Sequence, residues 1–177
     1  MISFRTASAA DADALVVLVN SGYRGESSKK GWTTEADLLG GQRTDADKIR
    51  EMIAAKDSRV ELAFDDGALI ACVHLKKEAD GSCYLGMLTV DPSRQAGGIG
   101  KSVMARTEEI AREWGCPRMR MTVISVRAEL IAYYERRGYV RTGATEPFPE
   151  GDPRFGLPKV RGLMFAELAK PLVGARP

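Results

Sequence analysis

Histidine is nearly absent, with His74 the one copy in 177 residues, and that excludes a histidine-cluster metal site. Cysteine is sparse: Cys72, Cys83 and Cys116 make an odd number with no C-x-x-C spacing. Neither a disulfide framework nor a cysteine zinc site is expected, and a reducing cytoplasm is the default compartment. Long apolar runs are missing too. The longest near the start, Leu15–Val19, follows Asp11 and Asp13; it is far too short for a membrane span and wrongly flanked for a secretory signal. Excess charge of one sign is also lacking, since 26 Lys+Arg against 24 Asp+Glu leave +2. No global field draws the chain to nucleic acid or a membrane. There is no internal repeat and no low-complexity tract.

What remains is 44% hydrophobic and 28% charged residues, ordinary for a globular protein and long enough for a single core without a metal or disulfide staple. Strand and helix signals alternate, which predicts one mixed α/β domain over 1–177. Ile2, Phe4 and Thr6 alternate as a first strand, and Leu15, Leu18 and Val19 recur at helical spacing within 9–21. Gly22–Gly31 is polar and reads as a mobile loop. Thr34 with Asp37 three residues on resembles a capping box and predicts a helix start, and a further helix covers 46–55. Strands at 59–65 and 68–77 flank Asp66-Gly67, a hairpin turn, and 82–90 continues the meander.

The second half is better punctuated. Asp91-Pro92-Ser93 ends a strand, and Gly97, Gly98 and Gly100 open a helix reaching about Trp114. Residues 118–125 form a strand, 127–137 a helix capped by Gly138, 139–142 another strand and 162–168 the last. Residues 145–158 hold four of the eight prolines and read as a long loop.

Gln95-Ala96-Gly97-Gly98-Ile99-Gly100 carries the chemistry. Glycines let successive amide N–H groups converge, and the following helix adds its positive end, so such a turn suits a pyrophosphate. Gly100-Lys101-Ser102 mimics the end of a P-loop, but the required first glycine is Gln95. A G-x-G-x-x-G fingerprint fails at Val103.

A third pattern fits. Val90-Asp91-Pro92-x-x-Gln95-x-x-Gly98-x-Gly100 resembles the acetyl-CoA signature of the GNAT superfamily of N-acetyltransferases, V-x-P-x-x-[Q/R]-x-x-G-x-[G/A]. Tyr134-Glu135-Arg136-Arg137-Gly138-Tyr139 resembles that family's Y-E-x-x-G-[FY] segment. The order of elements is similar along the whole chain, although only 84–142 carries specific motifs. Two residues depart from the family: Ala96, where Gly is common, and Arg127, where Asn is often found.

The resemblance implies a mostly antiparallel central sheet flanked by helices, and transfer of acetyl from acetyl-CoA to an amine. By match, Leu88, Thr89 and Val90 meet the pantetheine arm through backbone groups, and a free strand N–H there faces the oxygen on which charge develops. Gln95, Ala96, Gly97, Gly98, Ile99, Gly100 and Lys101 hold the pyrophosphate. Arg127 falls at a pantetheine contact, and Arg137 is the arginine best placed for the 3′-phosphate. Tyr134 is the general acid that protonates the departing thiolate; a phenol of pKa about 10 is a weak but usable donor. Tyr133 is structural.

The position where some members carry a glutamate base is Tyr84, which leaves Glu146 and His74 as alternative bases, or ordered water. The acceptor side is expected at Tyr23, Trp32, Glu35, Tyr84, Phe148 and Phe155, where aromatics with carboxylates suit a primary amine or a peptide N-terminus. The cysteines read as small buried hydrophobes, so attack is direct, without an acyl-enzyme. No metal is implied, and a homodimer is conceivable because many relatives dimerise. The rival functions are a non-catalytic CoA sensor and a P-loop-like nucleotide binder.

Overall fold

The computed structural model describes residues 1–173. Its main feature is a seven-stranded sheet in the order β1 (Ile2–Thr6), β3 (Ser58–Asp65), β4 (Ala68–Lys77), β5 (Cys83–Val90), β6 (Arg118–Ile124), β9 (Met164–Pro171), β7 (Val140–Pro147). All neighbours run antiparallel except β5 and β6. A two-stranded ribbon, β2 (Leu39–Gly40) with β8 (Leu157–Pro158), lies apart. The mixed, mostly antiparallel α/β sheet expected from the sequence is thus present.

The helices α1 (Ala12–Tyr23), α2 (Gly25–Ser28), α3 (Ala46–Ala54), α4 (Ile99–Glu113) and α5 (Ala128–Glu135) cover the sheet. Leu15, Leu18 and Val19 of α1 and Ile49 of α3 pack on Val60, Leu62, Cys72 and Met87. Val103, Ile110 and Ala111 of α4, with Ile131 of α5, close the larger cluster against Leu75, Leu85, Met119 and Met121. The near-continuous apolar run of β4 (Ile70, Ala71, Cys72, Val73 and Leu75) lets both of its faces be covered, whereas β5 buries alternate residues.

Two features of β5 position the site. Cys72 pairs with Thr89 and His74 with Gly86, so Met87 and Leu88 together oppose Val73. That is a β-bulge, and Met87 takes a φ of 56° to make it. Moreover, β5 and β6 are in register only at Cys83–Met119 and Tyr84–Arg120. Beyond Tyr84 the two strands part, and the edge of β5 faces an opening instead of a neighbour.

The structure corrects several boundaries. No helix follows Thr34. Its hydroxyl accepts from the Ala36 N–H at 3.1 Å and meets the Ser28 hydroxyl at 2.5 Å, so the capping chemistry is used in a turn. Glu35, which a helix would present to solvent, is drawn inward by two arginines. The Gly22–Gly31 loop contains the end of α1 and all of α2. The proline-rich stretch is not all loop: β7 runs to Pro147, Pro153–Phe155 is a 3-10 turn, and Leu157–Pro158 pairs with β2. The first helix begins as a 3-10 turn at Ala9–Asp11. The last strand starts at Met164, two residues after the positive-φ Gly162. Asp66 and Gly67 make the expected hairpin turn with φ of 48° and 79°, both left-handed as a type I′ turn requires.

Candidate active site

The opening between β5 and β6 holds two adjoining cavities, of about 440 Å³ and about 250 Å³. Tyr23, Leu88, Leu130 and Tyr134 line both. The smaller lies over the start of α4. There the Asp91 carboxylate accepts from the Ser93 N–H and hydroxyl at 2.9 and 2.6 Å and starts a 3-10 turn at Pro92. Gly98, at φ 71°, reverses the chain into α4, a left-handed residue at which a side chain would strain the backbone. The first turn of a fifteen-residue helix then leaves its N–H groups without intrahelical acceptors.

Val90, Gln95, Gly98, Gly100 and Lys101 line this smaller cavity. Ala96 and Gly97 are exposed on the turn, Ile99 is buried in the core, and Thr89 is packed against Gly22. Gln95 acts as a brace. Its amide donates to the Thr33 hydroxyl at 2.7 Å and the Val90 carbonyl at 3.3 Å, and its carbonyl accepts from the Trp32 N–H at 2.9 Å. The 31–34 segment is thereby tied over the glycine turn.

Trp32 accordingly lies in the smaller cavity, with its ring 5.0 Å from that of Tyr133, not on the acceptor side where the sequence suggested it. Tyr133, read from sequence as structural, is a wall of the same cavity. A Cβ at Gly100 would stand 2.8 Å from its hydroxyl, so only glycine leaves that hydroxyl in place. Arg137 stacks 3.4 Å over the Tyr133 ring and donates to its carbonyl at 2.8 Å, while its Nε is buried with no partner. Free helix N–H groups, Lys101 and an unsatisfied guanidinium N–H suit a phosphate-bearing ligand.

The larger cavity receives Tyr23, Glu35, Tyr84, Phe148 and Phe155, together with His74 and Glu146. Tyr23 donates to the Leu88 carbonyl on the bulged strand, and burial pushes its phenol up to about 12. Tyr84 meets the Thr122 hydroxyl at 3.0 Å across the parting strands. Glu35 is held between Arg24 and Arg127, the latter at 3.3 Å. Arg127 also donates to the Thr33 carbonyl at 2.7 Å. It lines the larger cavity only, so the structure places it as a support for Glu35 and not on the cofactor side. Arg24, absent from the sequence reading, is 5% exposed and donates to the Phe155 carbonyl at 3.0 Å. An arginine in a polar loop gives no sequence signal of burial.

His74 bonds Ser58 at 2.8 Å, and the Ser58 hydroxyl donates to the Met52 carbonyl. That hydroxyl has one proton, so His74 carries its own on Nε2 and keeps Nδ1 as the lone pair. Burial, with Lys76, Arg43 and Lys48 nearby, lowers its pKa to about 4; it is neutral and weakly basic. Glu146 lies on β7, exposed, not in a loop. Of the three carboxylates lining the cavity, Arg24 and Arg127 take Glu35, Arg120 takes Glu78 at 2.7 Å, and Glu146 alone has no ion pair among the described residues.

Tyr134 stands where the cavities meet. It is 6% exposed, packs edge-on against Tyr133 and Tyr139, and among the described residues no group hydrogen-bonds its hydroxyl. Burial pushes its phenol well above the usual range, so it is protonated at neutral pH. The three cysteines are buried, and burial holds the Cys72 and Cys83 thiols up at about 12. Among the described residues no group of three potential metal ligands occurs, and no helix is long and apolar enough to cross a membrane.

A parted parallel strand pair, a bulge, a glycine turn into a helix and a tyrosine between two cavities together make one two-chambered site. The chain belongs to the GNAT family of acetyltransferases: the model of the "Acetyltransferase (GNAT) family" matches residues 29–139, more than half of its length. No curated protein matches the sequence. Solved structures are similar in fold. The ribosomal-protein-S18-alanine N-acetyltransferase of Escherichia coli has a TM-score of 0.71 at 14% identity, over 99% of this chain and 97% of that one. The YncA protein of Salmonella typhimurium, solved with its cofactor acetyl-CoA, has 0.70 at 18%, over 99% and 96%. The PaiA N-acetyltransferase of Thermoplasma acidophilum, in complex with coenzyme A, has 0.68 at 19%, over 97% and 99%.

Proposed function

We propose that the protein transfers acetyl from acetyl-CoA to an amine by direct attack within a ternary complex. The observation that carries this is the pair of cavities joined at Tyr134. One is built for a phosphate-bearing chain, the other opens to a second reactant, and they meet at the bulged edge of β5. Acetyl-CoA supplies an activated thioester when bound. The α4 N-terminus, Lys101 and Arg137 would hold its phosphates, and Val90 and Leu88 its pantetheine arm.

Tyr134 supplies the proton. As the acceptor nitrogen bonds the acyl carbon and the C–S bond breaks, the electron pair goes to sulfur, and the phenol protonates it. Glu146, the lining carboxylate without an ion pair, takes the proton that the acceptor nitrogen gives up. Buried thiols with raised pKa values support the absence of an acyl-cysteine step.

Initial rates with acetyl-CoA and an amine acceptor test the sequence of events. Intersecting double-reciprocal lines are expected, and parallel lines or a trapped acetyl-enzyme would overturn direct attack.

A further inference from the structure

The larger cavity carries an excess of positive charge that the chain itself does not balance. Five cationic side chains line it against three carboxylates. Two of those carboxylates are already taken. Glu35 is shared by two guanidiniums, so that buried trio keeps one positive charge, and Glu78 is paired with Arg120 outside the cavity lining.

Arg43 and Lys48 have no carboxylate and no side-chain hydrogen bond among the described residues. Both are half-buried. Arg43 lies 5.5 Å over the Tyr23 ring and Lys48 3.9 Å over the Phe155 ring. An aromatic face stabilises a cation only modestly, whereas partial burial without a paired carboxylate is costly. Burial first and then the neighbouring Arg43 and Arg154 lower the Lys48 pKa, and the more weakly felt Asp45 and Asp152 do not offset them. Tyr23 lines both cavities, so Arg43 sits beside the reaction junction.

Resting on the acetyltransferase reading, we infer that the acceptor is a small amine that also carries a carboxylate, an amino acid in the chemical sense, with Arg43 and Lys48 as the groups that bind its carboxylate. Tyr23 and Phe155, expected from sequence to join carboxylates in receiving an amine, each lie under a cation. A peptide N-terminus or a simple alkylamine brings no negative charge to meet them.

The test is a panel of the proteinogenic L-amino acids with β-alanine and 4-aminobutyrate, each beside its carboxamide, scored by release of free CoA. At least one acid should be used with kcat/KM ten or more times that of its amide. Arg43→Gln should collapse that ratio to within about twofold, and Arg43→Lys should restore part of it. Lys48→Gln should lower it less. Because the ratio is internal to each variant, a general loss of folding does not move it.

Amides, alkylamines or short peptides used as well as or better than every acid would overturn the inference and leave the acetyltransferase reading standing. So would an acid-to-amide ratio unchanged in Arg43→Gln. Tight acetyl-CoA binding with no acceptor used at all overturns both.

Discussion

Replacing Tyr134 by Phe removes one oxygen from the junction of the two cavities. The hydroxyl has no hydrogen-bond partner among the described residues and the ring is 6% exposed, so the ring keeps its packing and no intramolecular bond is lost. Stability should therefore change by less than about 1 kcal/mol. Acetyl-CoA affinity should also hold, because the phosphate-binding groups lie at the other end of the smaller cavity. Turnover should not hold. General acid catalysis contributes about 10²–10⁴-fold, and since water can protonate a thiolate, the lower end is expected: a loss of about 100-fold in kcat, or about 2.7 kcal/mol of barrier. Burial raises the Tyr134 pKa, so the acid form persists below the usual phenol value of about 10. The wild-type rate should then show no alkaline loss assignable to this group below that pH. Thiol release gives kcat and calorimetry gives the acetyl-CoA Kd. A variant that turns over within about threefold of wild type with binding intact would refute the general-acid role.

Glu35→Gln leaves Arg24 and Arg127 buried without their shared carboxylate, and urea unfolding should show a loss of about 3–5 kcal/mol; a loss under about 1 kcal/mol would mean the trio is not held together by charge. His74 is depressed from 6.5 to about 4. The unfolded chain therefore binds the proton more readily, and stability present above pH 6.5 is lost as pH falls toward 4, by at most about 3 kcal/mol before solvent screening. His74→Gln should flatten that acid limb when urea midpoints at pH 7 and pH 4.5 are compared. Glu146→Gln should lower kcat/KM by about tenfold at pH 7, with recovery at higher pH as the acceptor loses its own proton; no change would return base duty to solvent.

Much of the fold was legible because its signals are local. The hairpin at Asp66-Gly67, the glycine turn before α4 and the alternation of Ile2, Phe4 and Thr6 along β1 depend on residues near one another in sequence. The misread elements depend on distant partners. Thr34 and Asp37 satisfy a capping pattern, but Glu35 between them is claimed by Arg24 and Arg127, and no helix forms. Leu157-Pro158 becomes a strand only because Leu39-Gly40 lies beside it. The cofactor loop and Tyr134 could be located by motif, since the chemistry there is fixed by backbone geometry and one side chain. The acceptor cavity could not, because its character comes from which charges are paired. Arg24, Arg43 and Lys48 look like solvated charges in the sequence, and Tyr133 looks like a neighbour of the functional tyrosine until Gly100 is seen against its hydroxyl.

Binding in the smaller cavity is the claim on which the rest depends, and thermal unfolding with acetyl-CoA, CoA and Mg-ATP in parallel tests it most directly. A ligand present at 100 times its Kd adds about 2.7 kcal/mol of stability. Both CoA species should raise Tm and Mg-ATP should not. Gly100→Ala, whose new Cβ would stand 2.8 Å from the Tyr133 hydroxyl, should shrink the CoA shift by displacing that hydroxyl, with the variant's ligand-free Tm as the control for a general loss of folding. No shift with acetyl-CoA at saturating concentration, or an equal one with Mg-ATP, would contradict the assignment.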